Sequence, residues 1–160
     1  MRAMRVKNMV AALTLLLATS GASLAGENPL LGTWKLNESK STYAPGSDKN
    51  TTVTYTAVKG DMIKCTADGV DKDGKPIHWT WTGKLDGKPY PLKGSPAFDT
   101  LAYHSVNERT NETTARKNGK VVITALITVA KDGKTRTVTL TSTDATGKKI
   151  TNQTYYDKQT

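Results

Sequence analysis

Lys117-Asn118-Gly119-Lys120-Val121-Val122-Ile123-Thr124-Ala125-Leu126-Ile127-Thr128-Val129-Ala130-Lys131-Asp132-Gly133-Lys134 is the stretch whose reading decides the fold. A nearly continuous apolar run is closed at each end by a turn pair, Asn118-Gly119 and Asp132-Gly133. Glycine reaches positive φ without a Cβ clash, and Asn or Asp before it tolerates the left-handed region, so such pairs close hairpins. Between them Ile123, Ala125, Ile127 and Val129 fall on one face, with Val122 and Leu126 on the other. That is the period of a strand with a buried face.

The same punctuation extends outward in both directions. Gly60, Gly74, Gly87, Gly119, Gly133 and Gly147 are spaced by 14, 13, 32, 14 and 14 residues, and Asp73-Gly74 and Asp86-Gly87 repeat the turn pair. Ile77, Trp79 and Trp81 alternate with His78, Thr80 and Thr82, and a threonine stripe from Thr135 to Thr143 lies opposite Arg136, Val138 and Leu140. Further strands are expected at Leu31 to Leu36, Thr51 to Val58, Met62 to Ala67 and Ile150 to Tyr156. The long interval should hide two more, at Thr100 to Val106 and Thr110 to Lys117. Lys88-Pro89-Tyr90-Pro91 suits a sheet edge or an extended crossing, because proline has no N–H to donate. The expected fold is all-β: an antiparallel up-and-down meander of 8–10 strands, closed into a barrel because closure removes exposed edges.

Residues 1–25 read as a cleaved secretory signal peptide. Arg2, Arg5 and Lys7 precede an apolar run from Met9 to Ala18, and Ser23-Leu24-Ala25 places small residues at −3 and −1. The run is about half of the roughly 20 residues a membrane-spanning helix needs, so no transmembrane segment is expected in the mature chain, and the location is periplasmic or secreted in a bacterium. Residues 26–160 form one domain. The whole chain carries a net charge of +9, and the signal takes three basic residues and no acidic one. Much of the remaining excess sits on lysines that follow turn glycines: Lys75, Lys88, Lys120, Lys134 and Lys148. The single cysteine, Cys65, alternates with Ile63 and Ala67 and reads as a small buried hydrophobe.

Catalytic and metal chemistry is poorly supplied. His78 and His104 have no zinc-ligand spacing, and Asp68, Asp71 and Asp73 lack the calcium-loop pattern that ends in glutamate. No nucleophile elbow and no phosphate loop occur, so no metal, no cofactor and no catalytic residue is assigned, and the chain is read as a non-enzyme. Lysines at turns rather than along a groove argue against nucleic acid. The open question is the Ile77-Trp79-Trp81 face, which is either packed core or the wall of a cavity. On the cavity reading the candidate ligand-binding residues are Tyr55, Trp79, Trp81, Tyr103 and Arg136, the last able to pair a ligand carboxylate. Their guest is a hydrophobic or amphipathic small molecule or lipid. On the other reading the core is filled, and the chain is a structural or interaction module of the cell envelope acting through its turn lysines.

Gly32-Thr33-Trp34-Lys35-Leu36 resembles the first-strand G-x-W motif of the calycin superfamily, the lipocalins and fatty-acid-binding proteins. The resemblance implies that Trp34 plugs one end of the barrel against a basic side chain from a terminal strand. Thr154-Tyr155-Tyr156-Asp157-Lys158 is similar to the last strand of fatty-acid-binding proteins, with Tyr156 and Lys158 at matching positions and Thr154 where a carboxylate-clamping arginine stands in that family. Lys40-Ser41, Pro45-Gly46, Asp86-Gly87-Lys88, Gly94-Ser95-Pro96, Asp99-Thr100 and Lys131-Asp132-Gly133-Lys134 extend the likeness to secreted bacterial proteins described as lipocalin-like. That resemblance implies a lipocalin-like barrel and transfers no activity.

Overall fold

The structure is a computed structural model describing residues 26–144 and 146–160. The signal-peptide reading of residues 1–25 lies outside the described residues. Ten strands follow one another: β1 Gly32–Leu36, β2 Lys49–Val58, β3 Met62–Val70, β4 Pro76–Gly83, β5 Tyr90–Lys93, β6 Thr100–Asn107, β7 Thr110–Lys117, β8 Lys120–Val129, β9 Thr135–Thr143 and β10 Lys149–Lys158. Each pairs antiparallel with the next. β1 then pairs with β10, with Trp34 opposite Lys158 and Leu36 opposite Tyr156, and the barrel closes. One short 3-10 turn, Glu38–Lys40, interrupts the strands. No helix among the described residues is long and apolar enough to cross a membrane.

The turn chemistry sets the register. Lys117 faces Lys120, which leaves Asn118 at φ 49° and Gly119 at φ 78° as a two-residue primed turn whose twist matches the flanking strands. The β3–β4 and β9–β10 turns share another device. Asp71 Oδ1 accepts the backbone N–H of Asp73 at 2.8 Å and of Lys75 at 2.9 Å, and Asp144 Oδ1 accepts those of Thr146 and Lys148 at 2.9 Å. These bonds favour the ionised carboxylates, so both stand below their ordinary pKa. The leading cause is the Lys75 N–H at Asp71 and the Thr146 hydroxyl at Asp144.

The long interval departs from expectation. It holds three strands rather than two, and the Pro89–Pro91 region is neither an edge nor a crossing. β5 is hydrogen-bonded on both sides, although each ladder has only two registered pairs: Thr80–Lys93 and Trp81–Leu92 with β4, and Tyr90–Leu101 and Pro91–Thr100 with β6. Closure demands two neighbours for every strand, and the prolines keep this one short.

After β5 the chain bends at Gly94, whose φ is +93° and whose missing Cβ would collide with the carbonyl oxygen of His78 on β4. Gly94→Ala is therefore expected to cost about 2–3 kcal/mol, combining a left-handed backbone with overpacking. Gly133→Ala, at φ +70° with open space around it, should lose only the conformational part, about 1 kcal/mol. Urea melts of the two variants check this, and equal losses would show that the contact with β4 is unimportant.

Inward-facing residues of β1 to β8 and of β10 build one apolar cluster, with Leu30 and Trp34 fully buried at its base. The Trp34 indole N–H donates to the Leu30 carbonyl at 2.8 Å. Cys65, on β3, is completely buried in this cluster as a free thiol.

Candidate functional site

The barrel interior is not filled along its whole length. A cavity of about 250 Å³ opens between a rim formed by Asp48, Asp71 and the Gly94–Phe98 segment and a deep end formed by Tyr55, Tyr103, Arg136 and Tyr156. Its rim residues lie in the connections before β2, between β3 and β4, and between β5 and β6. Arg136 enters from the opposite end, one residue into β9, directly across from Val129 and Tyr156. Aliphatic side chains from β8 and β9, among them Ile123, Ile127 and Val138, cover the remaining wall.

Tyr55, Trp79, Tyr103 and Arg136 line this cavity, and Trp81 does not. The two tryptophans share a strand face and have different roles. Trp81 is 1% exposed, its indole N–H donates to the Leu101 carbonyl at 2.8 Å, and it packs between Tyr90 and Tyr103, with centroids 6.0 and 4.6 Å away. It is core. Trp79 stands one inward position nearer the rim. There its indole N–H reaches Asn50 Oδ1 at 3.2 Å and its ring meets Phe98 edge-on at 5.9 Å. Phe98 was not legible as a wall residue. It is the chain's only phenylalanine, set in a turn-rich segment, and that isolation was the one available signal.

At the deep end Arg136 is only 2% exposed. Its guanidinium carbon lies 5.0 Å from the Trp34 ring centre, 5.2 Å from that of Tyr55 and 4.6 Å from that of Tyr156. Lys158 adds a second cation 5.3 Å from Trp34. Such cation–π contacts offset part of the desolvation, each by about 0.5–2 kcal/mol. They do not satisfy the donors: Nε and Nη1 of Arg136 have no hydrogen-bond partner among the described residues. No carboxylate among the described residues pairs with this guanidinium either, since the ion pairs that form involve Lys49, Lys72, His78 and Arg109. A buried arginine with idle N–H groups beside an apolar cavity is a site with unspent capacity for an anion.

The neighbouring titratable groups stay neutral. Burial raises the pKa of Tyr55 and holds Tyr103 well above the ordinary phenol value, and the two hydroxyls bond each other at 3.0 Å. Burial likewise pushes the Cys65 thiol up to about 11, and the nearest polar partner of its sulfur is the Tyr103 hydroxyl at 4.0 Å. Burial alone would lower the pKa of Arg136. Its proximity to Tyr55 and Tyr156 more than compensates, so the guanidinium remains charged. The cavity is thus apolar, ringed by neutral phenols, and carries one fixed positive charge. Outside it, His78 pairs with Asp68 at 2.6 Å on the solvent face, and among the described residues no group of three or more His, Cys, Asp or Glu is placed to hold a metal.

Fold and site together define a small closed antiparallel β-barrel with an interior cavity. No family model and no curated protein matches the sequence. Among solved structures the chain is similar to EF1p2_mFAP2b bound to DFHBI, at 11% identity and a TM-score of 0.45, covering 82% of this chain and 94% of that one. It is also similar to a redesigned β-barrel, mFAP1, bound to DFHBI, at 16% identity and a TM-score of 0.40, covering 79% of this chain and 94% of that one. At these values nothing beyond a general barrel likeness passes from those proteins to this chain.

Proposed function

We propose that the protein is an exported, lipocalin-like barrel that binds a hydrophobic or amphipathic small molecule inside its cavity. The observation that carries the reading is the buried, unpaired Arg136 at the end of an otherwise apolar chamber. A barrel that served only as a scaffold would gain stability by filling that chamber with side chains and by replacing or pairing the arginine, because voids and unsatisfied buried donors both cost free energy. Binding rather than catalysis is favoured because the phenols at the deep end are pushed away from neutral pH, where an acid–base catalyst is most effective. Export rests on the basic and apolar pattern of residues 1–25.

Ala125, on the cavity wall in β8, allows a direct test. Ala125→Phe places a ring in the chamber. The unmodified protein should show a saturable shift of tryptophan emission with small amphipathic molecules and one-to-one complexes in native mass spectrometry, and the variant should lose both while remaining folded. Binding that survives this substitution would place the ligand elsewhere or nowhere specific.

A further inference from the structure

Resting on that reading, we infer that the cavity is a head-first site for compact aromatic carboxylates, holding one ring with a short acid arm, and not a site for long-chain lipids. Size comes first. A cavity of about 150 Å³ suffices for benzene, and this one is about 250 Å³, enough for a single ring and a few further atoms. It falls below the roughly 300–1,000 Å³ of sites that enclose larger ligands. A long alkyl chain entering it would leave most of its length at the rim, where contact with water yields no gain from burial.

Polarity sets the direction of entry. Among the described residues the only cation on the cavity wall is Arg136, at the far end from the rim, and the rim itself carries Asp48 and Asp71. An anion is therefore repelled at the mouth and favoured at the base, so the acid group lies deepest. The guanidinium lies over the rings of Trp34, Tyr55 and Tyr156, and its Nε and Nη1 are left without hydrogen-bond partners. Each of these free donors can give a charge-assisted hydrogen bond to a carboxylate oxygen. The ring of the guest would then lie at the level of Trp79 and Phe98, whose edge-on arrangement at 5.9 Å shows that this level accommodates aromatic packing.

The test is calorimetric titration of the unmodified protein with 3-phenylpropionate, its neutral counterpart 3-phenylpropanol, and the straight-chain acids from hexanoate to dodecanoate. The aryl acid should bind on the order of tenfold to a hundredfold more tightly than the alcohol, the difference expected for a desolvated charge-assisted pair. Affinity along the straight-chain series should level off once the cavity is full. Arg136→Met should remove the preference for acid over alcohol, and Arg136→Lys should restore part of it. If neither variant folds, the acid–alcohol comparison on the unmodified protein still decides. Equal binding of acid and alcohol, or affinity that climbs by a constant factor through dodecanoate, would overturn this inference and leave small-molecule binding standing. Failure of every probe to bind would overturn both.

Discussion

Trp81→Ala is expected to destabilise the barrel by about 3–5 kcal/mol, the range for truncating a fully buried tryptophan. Trp81 is 1% exposed, is held by its bond to the Leu101 carbonyl, and is packed against Tyr90 and Tyr103. It also rests on Gly83, where an added Cβ would collide with both its ring and that of Tyr90. Its loss would open a void that neighbouring strands, pinned by ladders on both sides, cannot close. Trp79→Ala should cost at least about 1 kcal/mol less, because one side of that ring already faces open cavity and has fewer contacts to lose. Equilibrium urea unfolding of both variants gives the comparison. A larger loss at Trp79 than at Trp81 would reverse the assignment of wall and core.

Alkaline pH should unfold the protein cooperatively. Cys65 is raised from its ordinary 9.0 to about 11, and Tyr55, Tyr103 and Tyr156 are raised above 10.0, each chiefly by burial. The folded state therefore keeps protons that the unfolded chain releases. Stability from these groups is complete below their unfolded values and falls as pH rises through and beyond them. Cys65 alone accounts for about 2–3 kcal/mol lost between pH 9 and pH 11, and the phenols steepen the fall above pH 10. Urea midpoints should be flat from about pH 7 to pH 8 and then drop. Tyrosinate absorbance from the buried phenols should appear together with loss of the fold. Gradual ionisation of every tyrosine within an intact barrel would contradict the burial of this cluster. Cys65→Ala should flatten the first part of the decline and leave the second.

Most of the architecture was legible because hairpin closure is a local property. Asn118-Gly119 and Asp132-Gly133 need only their own φ angles to turn the chain, and the alternation between them assigns a face to each residue. β5 escaped because its four residues, one of them proline, carry too little alternation to register as a strand. It exists only because β4 and β6 each lack a partner without it. Arg136 was legible as a residue on the apolar face beside Val138 and Leu140. Its three aromatic neighbours come from β1, β2 and β10, and no local pattern links them.

The sequence alone determined the turns and the two-faced alternation of the strongly patterned strands, since these follow from φ preferences and a period of two. Tertiary structure decided the level along the barrel axis at which each inward residue sits. That level depends on register summed around a closed sheet, which no single strand records. It is why Trp81 is buried core and Trp79, two residues away on the same face, is cavity wall. It is also why a charged arginine ends beneath an apolar chamber with two donors unpaired.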